Sequence, residues 1–229
     1  MAAEEVVPLT TTKADTAKAL QALEDTRPQA RLQAALTIGT APEPPFIDKL
    51  VERCATEPDF FVRDMLTWAL TRHPASLTVP RLIRELHSER AQARSQALHT
   101  LSKIGDRRAW PAITRALLSD PDDEVARSAW RTAVVLVPEG EERALAGLLA
   151  TQLGRGERET QLSLGQALAA LGDAAVPAMR AAASAARLDV RAHALAVQRL
   201  LRDPDAGFAS AIEEAKRVVA LTGAPTADD

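Results

Sequence analysis

One stretch, FFVRDMLTWAL at residues 60–70, returns along this chain as AQARSQALHTL (91–101), DEVARSAWRTA (123–133) and LDVRAHALAVQRL (188–200). The repeat interval is about 30 to 34 residues. A period of roughly 20 to 50 residues is typical of a solenoid or an array, in which each unit buries its apolar face against its neighbours. The sequence therefore predicts a repeat protein, a class that usually supplies an extended binding surface.

The composition favours helices. The chain is 46% hydrophobic but only 3% aromatic, with no Tyr, and Ala and Leu carry most of the apolar content. Ala and Leu are strong helix formers, whereas β-branched and aromatic residues favour strands. We predict an all-α fold, a right-handed α-solenoid of about six helix pairs. It should form one domain over residues 13–222, with mobile tails at 1–12 and 223–229.

A complete unit spans residues 88–120. Its first helix should end at Gly105, because glycine adopts the left-handed conformation that commonly closes a helix. Asp106 should then cap a second helix over 107–118, with Pro111 in the first turn, where its missing N–H costs nothing. The same order of glycine, aspartate and proline returns later in the chain.

These units resemble HEAT repeats, in the short bacterial form described as lyase-type HEAT-like repeats, and are most similar to actinobacterial members. The pattern is Asp-x-x-Val-Arg-x-x-Ala, then Gly-Asp, then a proline, and it covers about residues 28–220. It is carried by Asp59, Val62, Arg63, Ala93, Arg94, Ala97, Ile104, Gly105, Asp106, Ala109, Pro111, Ile113, Asp123, Arg127, Leu171, Gly172, Asp173, Pro177, Asp189, Val190 and Arg191. The resemblance implies an α-solenoid and says little about activity.

One arginine falls on the equivalent turn of four first helices: Arg63, Arg94, Arg127 and Arg191. The resemblance implies that each pairs with an aspartate of a neighbouring repeat, and the candidate partners are Asp64, Asp122, Asp123 and Asp189. An exposed ion pair contributes only about 0–1 kcal/mol. We therefore interpret these arginines as a structural ladder that sets the register between repeats. Gln161 occupies the position in the fifth unit and should interrupt the ladder.

Stacked second helices are expected to line the concave face, the usual binding surface of a solenoid. The basic residues predicted there are Arg81, Arg84, Arg108, Arg115, Lys49, Arg53 and Arg180. Arg suits carboxylate and phosphate because its planar fork donates in pairs. This basic strip predicts a groove for an acidic peptide, a phosphate group or a nucleic-acid backbone. The alternative is a solvated face, in which the arginines alternate with Glu52, Glu85 and Glu89.

Metal chemistry is not favoured by the histidines. HEAT-repeat hydroxylases that act on deoxyhypusine hold a di-iron centre with several His-Glu dipeptides. This chain has four histidines, and none is followed by Glu or lies three or four residues from another His or a Cys. They are His73, His87, His99 and His193. We predict no metal site and no cofactor.

Two other reactive interpretations remain weaker than a binding role. HEAT-like glycosylases remove alkylated bases with Trp and Asp on the concave face, but Trp68, Trp110 and Trp130 each have a packing explanation. Cys54 lies at the end of a helix, where the dipole disfavours the thiolate that nucleophilic catalysis needs. We predict no catalytic residue.

Charge and cysteine content bear on partner and compartment. A net charge of −3 excludes the basic excess of a typical nucleic-acid-binding domain. A single cysteine, no signal-like N-terminus and no long apolar run favour a cytoplasmic protein. We predict a non-enzymatic scaffold or adaptor that binds another protein through its concave face, with a monomer favoured. Nucleic-acid binding or base excision, and a lyase-like or chaperone-like role, are the alternatives.

Overall fold

The computed structural model describes residues 13–203 and 208–222, with side chains over 17–203 and 211–219. The predicted tails at 1–12 and 223–229 lie outside the described residues. Every regular element in the described part is helical, which confirms the all-α prediction. The α-helices are α1 (Lys13–Ala22), α2 (Pro28–Thr40), α3 (Phe46–Cys54), α4 (Phe60–Thr71), α5 (Ala75–Glu85), α6 (Ala91–Ile104), α7 (Arg115–Leu118), α8 (Asp123–Leu136), α9 (Glu142–Ala150), α10 (Arg158–Ala170), α11 (Val176–Ala182), α12 (Leu188–Arg202) and α13 (Phe208–Thr222).

The helices form two layers of an α-solenoid. The first helices of the six pairs are α2, α4, α6, α8, α10 and α12, and each packs against the next in this series. The second helices α3, α5, α7, α9 and α11 form the other layer, and α13 completes the sixth pair by packing on α12. Helix α1 precedes the first pair and packs on α2. The predicted number of pairs is therefore confirmed.

The core lies between the two layers and is built mainly from leucine and alanine. Leu66 and Leu98 of the first helices and Leu50 and Leu149 of the second helices are fully buried, and Trp130 is the largest fully buried side chain of the described residues. Burying one such side chain stabilises the fold by about 1.5–3 kcal/mol relative to leaving it exposed. Small alanines between them let the helices approach closely.

The unit at residues 88–120 shows how the sequence punctuates the helices. Gly105 ends α6 in the left-handed conformation, with φ of 69°. Asp106 then accepts a hydrogen bond from the backbone N–H of Arg108 at 3.0 Å. Both caps agree with the sequence analysis. They turn the chain sharply, so that the next element returns along the second layer.

The second helix of this unit differs from the continuous helix predicted over 107–118. A 3₁₀ helix spans Arg107–Ala112, and α7 begins only at Arg115. Pro111 lies inside this 3₁₀ helix, whereas the corresponding Pro80 lies inside the continuous helix α5. Thr114 then caps α7, its hydroxyl accepting from the N–H of Leu117 at 3.4 Å.

A close helix approach joins the first two pairs. Gly39 of α2 faces Trp68 of α4, and a Cβ atom at position 39 would overlap the Trp68 ring and lie 3.0 Å from the Cα of Ala69. Helix α2 can therefore contact α4 at this distance only because residue 39 has no side chain.

Candidate binding groove on the first helices

A groove of about 640 Å³ runs across the exposed side of α4, α6 and α8. Most of its lining is polar: Arg63, Asp64, Thr67, Ser95, Gln96, His99, Ser102, Lys103, Glu124, Ser128 and Arg131, with Phe60 at one end. We call it the first-helix groove. It lies on the layer opposite to the one on which the sequence analysis placed the binding surface.

Two adjacent phenylalanines stand at the start of α4 beside this groove. Phe60 is 66% exposed and Phe61 is 71% exposed. Their rings meet edge to face with centroids 5.6 Å apart, and the guanidinium of Arg63 lies 5.9 Å from the centre of the Phe60 ring. The next residue, Val62, is buried and faces the core. The fold therefore does not use either phenyl ring for packing in its interior.

Hydroxyl groups connect α6 and α8 in the groove. The Ser95 and Ser128 hydroxyls are 3.1 Å apart, and Arg131 donates to the Ser128 hydroxyl at 3.1 Å. Thr67 of α4 is buried, and its hydroxyl has no hydrogen-bond partner in the described part of the chain. The groove thus contains polar groups whose hydrogen-bonding capacity is not used up by the protein.

The groove is also electrostatically positive around His99. Burial lowers the pKa of His99 from its ordinary value, and the nearby charges of Lys103 and Arg131 lower it further, while Asp64 opposes the shift. Burial first, and then the positive charges of Lys103 and Arg131, therefore disfavour the protonated form of His99.

The arginine ladder is seen most fully at Arg94. Its Nε and Nη2 donate to the two carboxylate oxygens of Asp120 at 3.0 and 3.1 Å. Its Nη1 donates to the carbonyls of Ser88 and Glu89, at 2.9 and 3.2 Å. One side chain therefore ties α6 both to the loop before it and to the loop of the next repeat. The partner is Asp120, which was not among the four aspartates considered from the sequence.

Arg31 makes the same set of contacts and was missed by the sequence analysis. It donates to both oxygens of Glu57 at 2.7 and 2.6 Å, and to the carbonyls of Asp25 and Thr26 at 2.9 and 3.0 Å. The carboxylate again lies 26 residues after the arginine, as it does for Arg94. That shared spacing was the signal that could have identified it.

The buried Glu57 is held ionised by this link. Burial alone raises its pKa, but hydrogen bonds from Arg31, from the backbone N–H of Asp59 and from Arg53 more than offset that and lower it to about 2. Arg63 completes only half of the pattern. It donates to the carbonyls of Glu57 and Pro58 at 2.9 and 2.8 Å, and makes no ion pair with any described residue.

Arg127 lies one residue away from the ladder position. The ladder arginine is the fourth residue after the N-cap, as in Arg90 to Arg94, and the N-cap of α8 is Asp122. The fourth residue is therefore Ala126. Arg127 instead pairs with Glu124 and Glu159 on the surface, at 2.8 and 3.3 Å.

Arg155, from the loop before α10, fills the place left by Ala126. It donates to the carbonyl of Asp120 and pairs with Asp123 at 2.8 Å. Its guanidinium lies 6.0 Å from the centre of the Trp130 ring. Gln161, where an interruption was expected, keeps a single bond to the carbonyl of Gly156 at 3.1 Å. Arg191 occupies the corresponding position of α12, four residues after the N-cap.

The basic strip predicted on the second helices is largely neutralised within the protein. Four of its residues, Lys49, Arg53, Arg81 and Arg108, form ion pairs with Glu24, Glu52, Glu57, Asp48, Glu85 and Asp106. Arg81, for example, reaches Asp48 and Glu85 at 2.7 Å each. The other three, Arg84, Arg115 and Arg180, are exposed and make no ion pair with a described residue. The strip is therefore three separate cations rather than a continuous basic surface.

The segment that carries the first-helix groove matches a known family. The family model for HEAT repeats matches residues 62–133, which run from the first turn of α4 to the last turn of α8. Residues 62–133 are therefore similar to HEAT repeats. Except for Phe60, every residue that lines the groove lies within this matched segment.

Two solved structures resemble the chain beyond the matched HEAT repeats. The structure of human deoxyhypusine hydroxylase in complex with glycerol is 20% identical, with a TM-score of 0.46, over 90% of this chain and 95% of that chain. The structure of the complex of CpcE and CpcF of phycocyanin lyase from Nostoc sp. PCC7120 is 18% identical, with a TM-score of 0.37, over 95% of this chain and 100% of that chain. No curated protein matches the chain. At these values neither structure bears on what this chain does.

Cys54, His73 and His193, which the sequence analysis considered for chemistry, are held within the fold by burial and hydrogen bonds. Burial raises the pKa of Cys54 to about 12, against a smaller opposing effect of Arg63, so the thiol stays protonated. The Nδ1 and Nε2 atoms of His73 lie 2.8 and 3.1 Å from the carbonyl oxygens of Ala69 and Glu43, so the ring contacts two neighbouring units. Burial lowers the pKa of His193 to about 4. Among the described residues, no group of His, Cys, Asp and Glu is arranged to hold a metal ion.

The three tryptophans lie within the segment that matches the HEAT-repeat model and have different surroundings there. Trp130 is buried and donates its ring N–H to the carbonyl of Leu118 at 2.8 Å. Trp68 covers Gly39. Trp110 packs against the core and donates to Glu141 at 3.2 Å across to the next unit. All three rings are therefore engaged in packing, as expected from the sequence.

No single helix in the described ranges is long and apolar enough to cross a membrane. One bent pair, Arg158–Ala170 with Gly172–Ala182, passes a test of length and composition together, with an angle of 115° between its parts.

Proposed function

We propose that this chain is a non-enzymatic scaffold that binds another protein, and that the first-helix groove is its binding surface. The observation that carries the proposal is the exposed Phe60–Phe61 pair at the end of a polar groove. Aromatic residues are enriched at protein interfaces, whereas an isolated exposed aliphatic side chain is common on any surface.

The energetic argument starts from the exposed rings. Water contact with apolar surface costs about 25 cal/mol per Å². Polar residues could occupy positions 60 and 61 at the start of α4 without affecting the buried Val62 and Leu66. A docked partner would remove the two rings from water and recover that free energy. A polar rim around an apolar contact is the usual anatomy of such an interface.

The HEAT repeats also offer a preorganised surface. The groove residues lie on three helices that pack against each other and are joined by the Ser95–Ser128 contact and the Arg94–Asp120 link. A surface fixed before binding loses little conformational entropy when a partner docks. This supports a binding role without any chemical step.

The exposed arginines on the second helices form a second candidate surface. Arg84, Arg115 and Arg180 make no ion pair with a described residue, so they are available for an acidic peptide, a phosphate group or a nucleic-acid backbone. Binding to a nucleic-acid backbone there should weaken steeply with salt. Binding at the two phenylalanines should depend on salt much less.

A comparative pull-down from lysate tests both surfaces. The groove variant is Phe60→Ala with Phe61→Ala, and the strip variant carries Arg84→Glu, Arg115→Glu and Arg180→Glu. Leu188→Ala is the matched control, because Leu188 is 55% exposed and is the first residue of α12, as Phe60 is of α4. Circular dichroism should show that all variants are folded.

We expect one protein to be recovered by the wild type, the strip variant and the control, and lost with the groove variant. Titration of that purified protein should then show direct binding to the wild type, the strip variant and the control, and loss of binding to the groove variant. Loss only with the strip variant would move the site to the second helices. Equal recovery by all four proteins would refute both surfaces.

A further inference from the structure

One end of the first-helix groove carries a guanidinium, that of Arg131, which forms no ion pair with any described residue. Arg131 lies on α8, and its Nη2 donates to the neutral Ser128 hydroxyl at 3.1 Å. Arg31 and Arg94, in contrast, each place two donors on one carboxylate. Arg131 therefore has the donor fork of those residues without their acceptor.

The surroundings of Arg131 strengthen this imbalance. Burial of the guanidinium lowers its pKa, repulsion by Arg127 lowers it further, and only Glu124 opposes the shift. Glu124 is itself paired with Arg127. The groove also contains Lys103 of α6, which is exposed and makes no ion pair in the described part of the chain. A negative charge placed between these two groups would satisfy both.

The size of the charge indicates which anion fits. Three cations, Arg63, Lys103 and Arg131, and two anions, Asp64 and Glu124, line the groove, so the excess is one positive charge. A carboxylate carries one negative charge, whereas a phosphoserine carries about −1.5 to −2 at neutral pH. The neighbouring hydroxyls of Ser95 and Ser128 can donate further hydrogen bonds to a carboxylate oxygen.

Resting on the proposed function, we infer that the first-helix groove binds an acidic peptide segment of the partner. A Glu or Asp carboxylate of that segment sits between Arg131 and Lys103, and an apolar or aromatic side chain of the same segment packs on Phe60. The partner is thereby specified by the separation of two side chains as well as by their chemistry.

The separation follows from the geometry of the stack. Phe60 begins α4 and Arg131 lies in the third turn of α8, two helices further along the layer. Two interaxial steps of about 8–10 Å, combined with an offset of roughly 12 Å along the axis, give about 20–23 Å. An extended chain covers that distance in about six or seven residues.

The test is a selection of random seven-residue peptides displayed on phage against the full chain. We expect the enriched peptides to carry an acidic residue near one end and an apolar or aromatic residue near the other. Synthetic copies of the best peptide are then titrated by fluorescence polarisation, with the acidic residue as Glu, as Gln or as phosphoserine.

For the wild type, the Gln copy should bind about tenfold more weakly than the Glu copy, since a charge-assisted hydrogen bond is lost. In Arg131→Gln the two copies should bind alike. Arg143→Gln is the matched control, because Arg143 is an exposed arginine at the start of α9 without an ion pair to a described residue, and it should keep the tenfold preference.

Each alternative outcome would overturn a specific part of the proposal. Enriched peptides that need Phe60 and Phe61 but have no acidic residue would overturn this inference and leave the proposed function standing. Peptides that bind Phe60→Ala with Phe61→Ala as well as the wild type would overturn the groove itself. A phosphoserine copy that binds more tightly than the Glu copy would overturn the assignment of a carboxylate.

Discussion

Two junctions between repeats are each linked by an arginine–carboxylate ion pair, but the arginine lies on opposite sides of the two junctions. At the first, Arg31 on a first helix reaches forward to Glu57 in the following loop. At the α8–α10 junction, Arg155 in the following loop reaches back to Asp123 at the start of α8. In both cases a guanidinium ties a first helix to the loop of the next unit. The repeat therefore requires the link between units, while the residue that supplies the positive charge can change sides.

The two junctions differ in how far the charges are removed from water. The side chains of Arg31 and Glu57 are 5% and 0% exposed, whereas those of Arg155 and Asp123 are 20% and 43% exposed. Charges lose hydration on burial, so a buried pair depends strongly on having both partners. An exposed pair is screened by water and contributes little. Removing the arginine should therefore have unequal effects at the two junctions.

The largest effect is expected from Arg31→Met. The substitution leaves the Glu57 carboxylate buried with only Arg53 and the Asp59 N–H as partners, and loss of one partner of a buried pair costs about 3–5 kcal/mol. Urea unfolding followed by circular dichroism measures the change.

Adding Glu57→Gln to Arg31→Met should restore part of the lost stability, because the buried negative charge is removed as well. A loss below about 1 kcal/mol for the single variant would show that Arg53 alone suffices for Glu57. The comparison between the buried and the exposed junction would then lose its basis.

The buried junction should also make stability depend on acid pH. The folded-state pKa of Glu57 is lowered from 4.5 to about 2, so its contribution is present above pH 4.5 and is lost as the pH falls through about 2. Hydrogen bonding by Arg27 lowers the pKa of the partly exposed Asp25 to about 2 as well, so the wild type alone is not a sufficient measurement.

The difference between wild type and Glu57→Gln isolates the contribution of Glu57. We expect the unfolding free energies of the two proteins to converge between pH 4.5 and about 2. A difference that stays constant over this range would mean that Glu57 titrates as it does in the unfolded chain.

The α2–α4 contact should respond next in size. Gly39→Ala adds a methyl group where the Trp68 ring and the Ala69 backbone already lie, and overpacking of this kind costs about 1–3 kcal/mol. Gly147→Ala is the matched control, because a Cβ there meets no atom within 4 Å. It should be neutral or stabilising, since Ala is the better helix former. Thermal unfolding of both variants tests this, and equal midpoints would contradict the close approach.

The fold could be predicted from the sequence because the helix boundaries of each unit are set by residues that lie next to them in the chain. Apolar spacing, Gly105 and Asp106 act within one or two turns, so no knowledge of tertiary packing was needed to identify the helix pairs. The break at Pro111 was harder to predict, because proline is compatible with the start of an α-helix and with a 3₁₀ helix alike.

The details of the ladder depended on a one-residue difference. The stretch from Glu57 to Arg63 has one residue fewer than that from Asp120 to Arg127, and this moves Arg127 out of the ladder position. Counting residues from the N-cap would have shown that Arg127 is outside the ladder position. The N-cap residue, however, is defined by the backbone conformation, which the sequence does not show directly. Arg31 lay in the unit where the sequence pattern is least regular.

The candidate surface could not be read from the sequence for a different reason. Whether Arg81 is available to a partner depends on Asp48, which is 33 residues away and meets it only through the register of the stack. Phe60 and Phe61, however, left a signal: two of only four phenylalanines stand together just outside the buried positions of α4. Adjacent aromatics at the start of a helix warrant attention in such repeats.

The smallest changes in stability are expected at the α8–α10 junction, where Arg155 and Arg127 lie on opposite sides. Arg155→Met removes a partly exposed ion pair, a hydrogen bond to the carbonyl of Asp120 and the contact with the Trp130 ring. Together these should stabilise the fold by about 1–2 kcal/mol. Arg127→Met removes only surface pairs and should stay within about 0.5 kcal/mol of the wild type.

Chemical unfolding of the two variants under the same conditions measures the difference. If Arg155→Met is clearly the less stable protein, Arg155 stabilises this junction as Arg94 stabilises the α6–α8 junction. The contact between the units then matters more than the position of the arginine in the sequence. If the two variants are equal, the contacts of Arg155 contribute no more than the surface pairs of Arg127, and the α8–α10 junction does not depend on an arginine link. That outcome would confine the ion-paired ladder to Arg31 and Arg94, whose carboxylate partners Glu57 and Asp120 are buried.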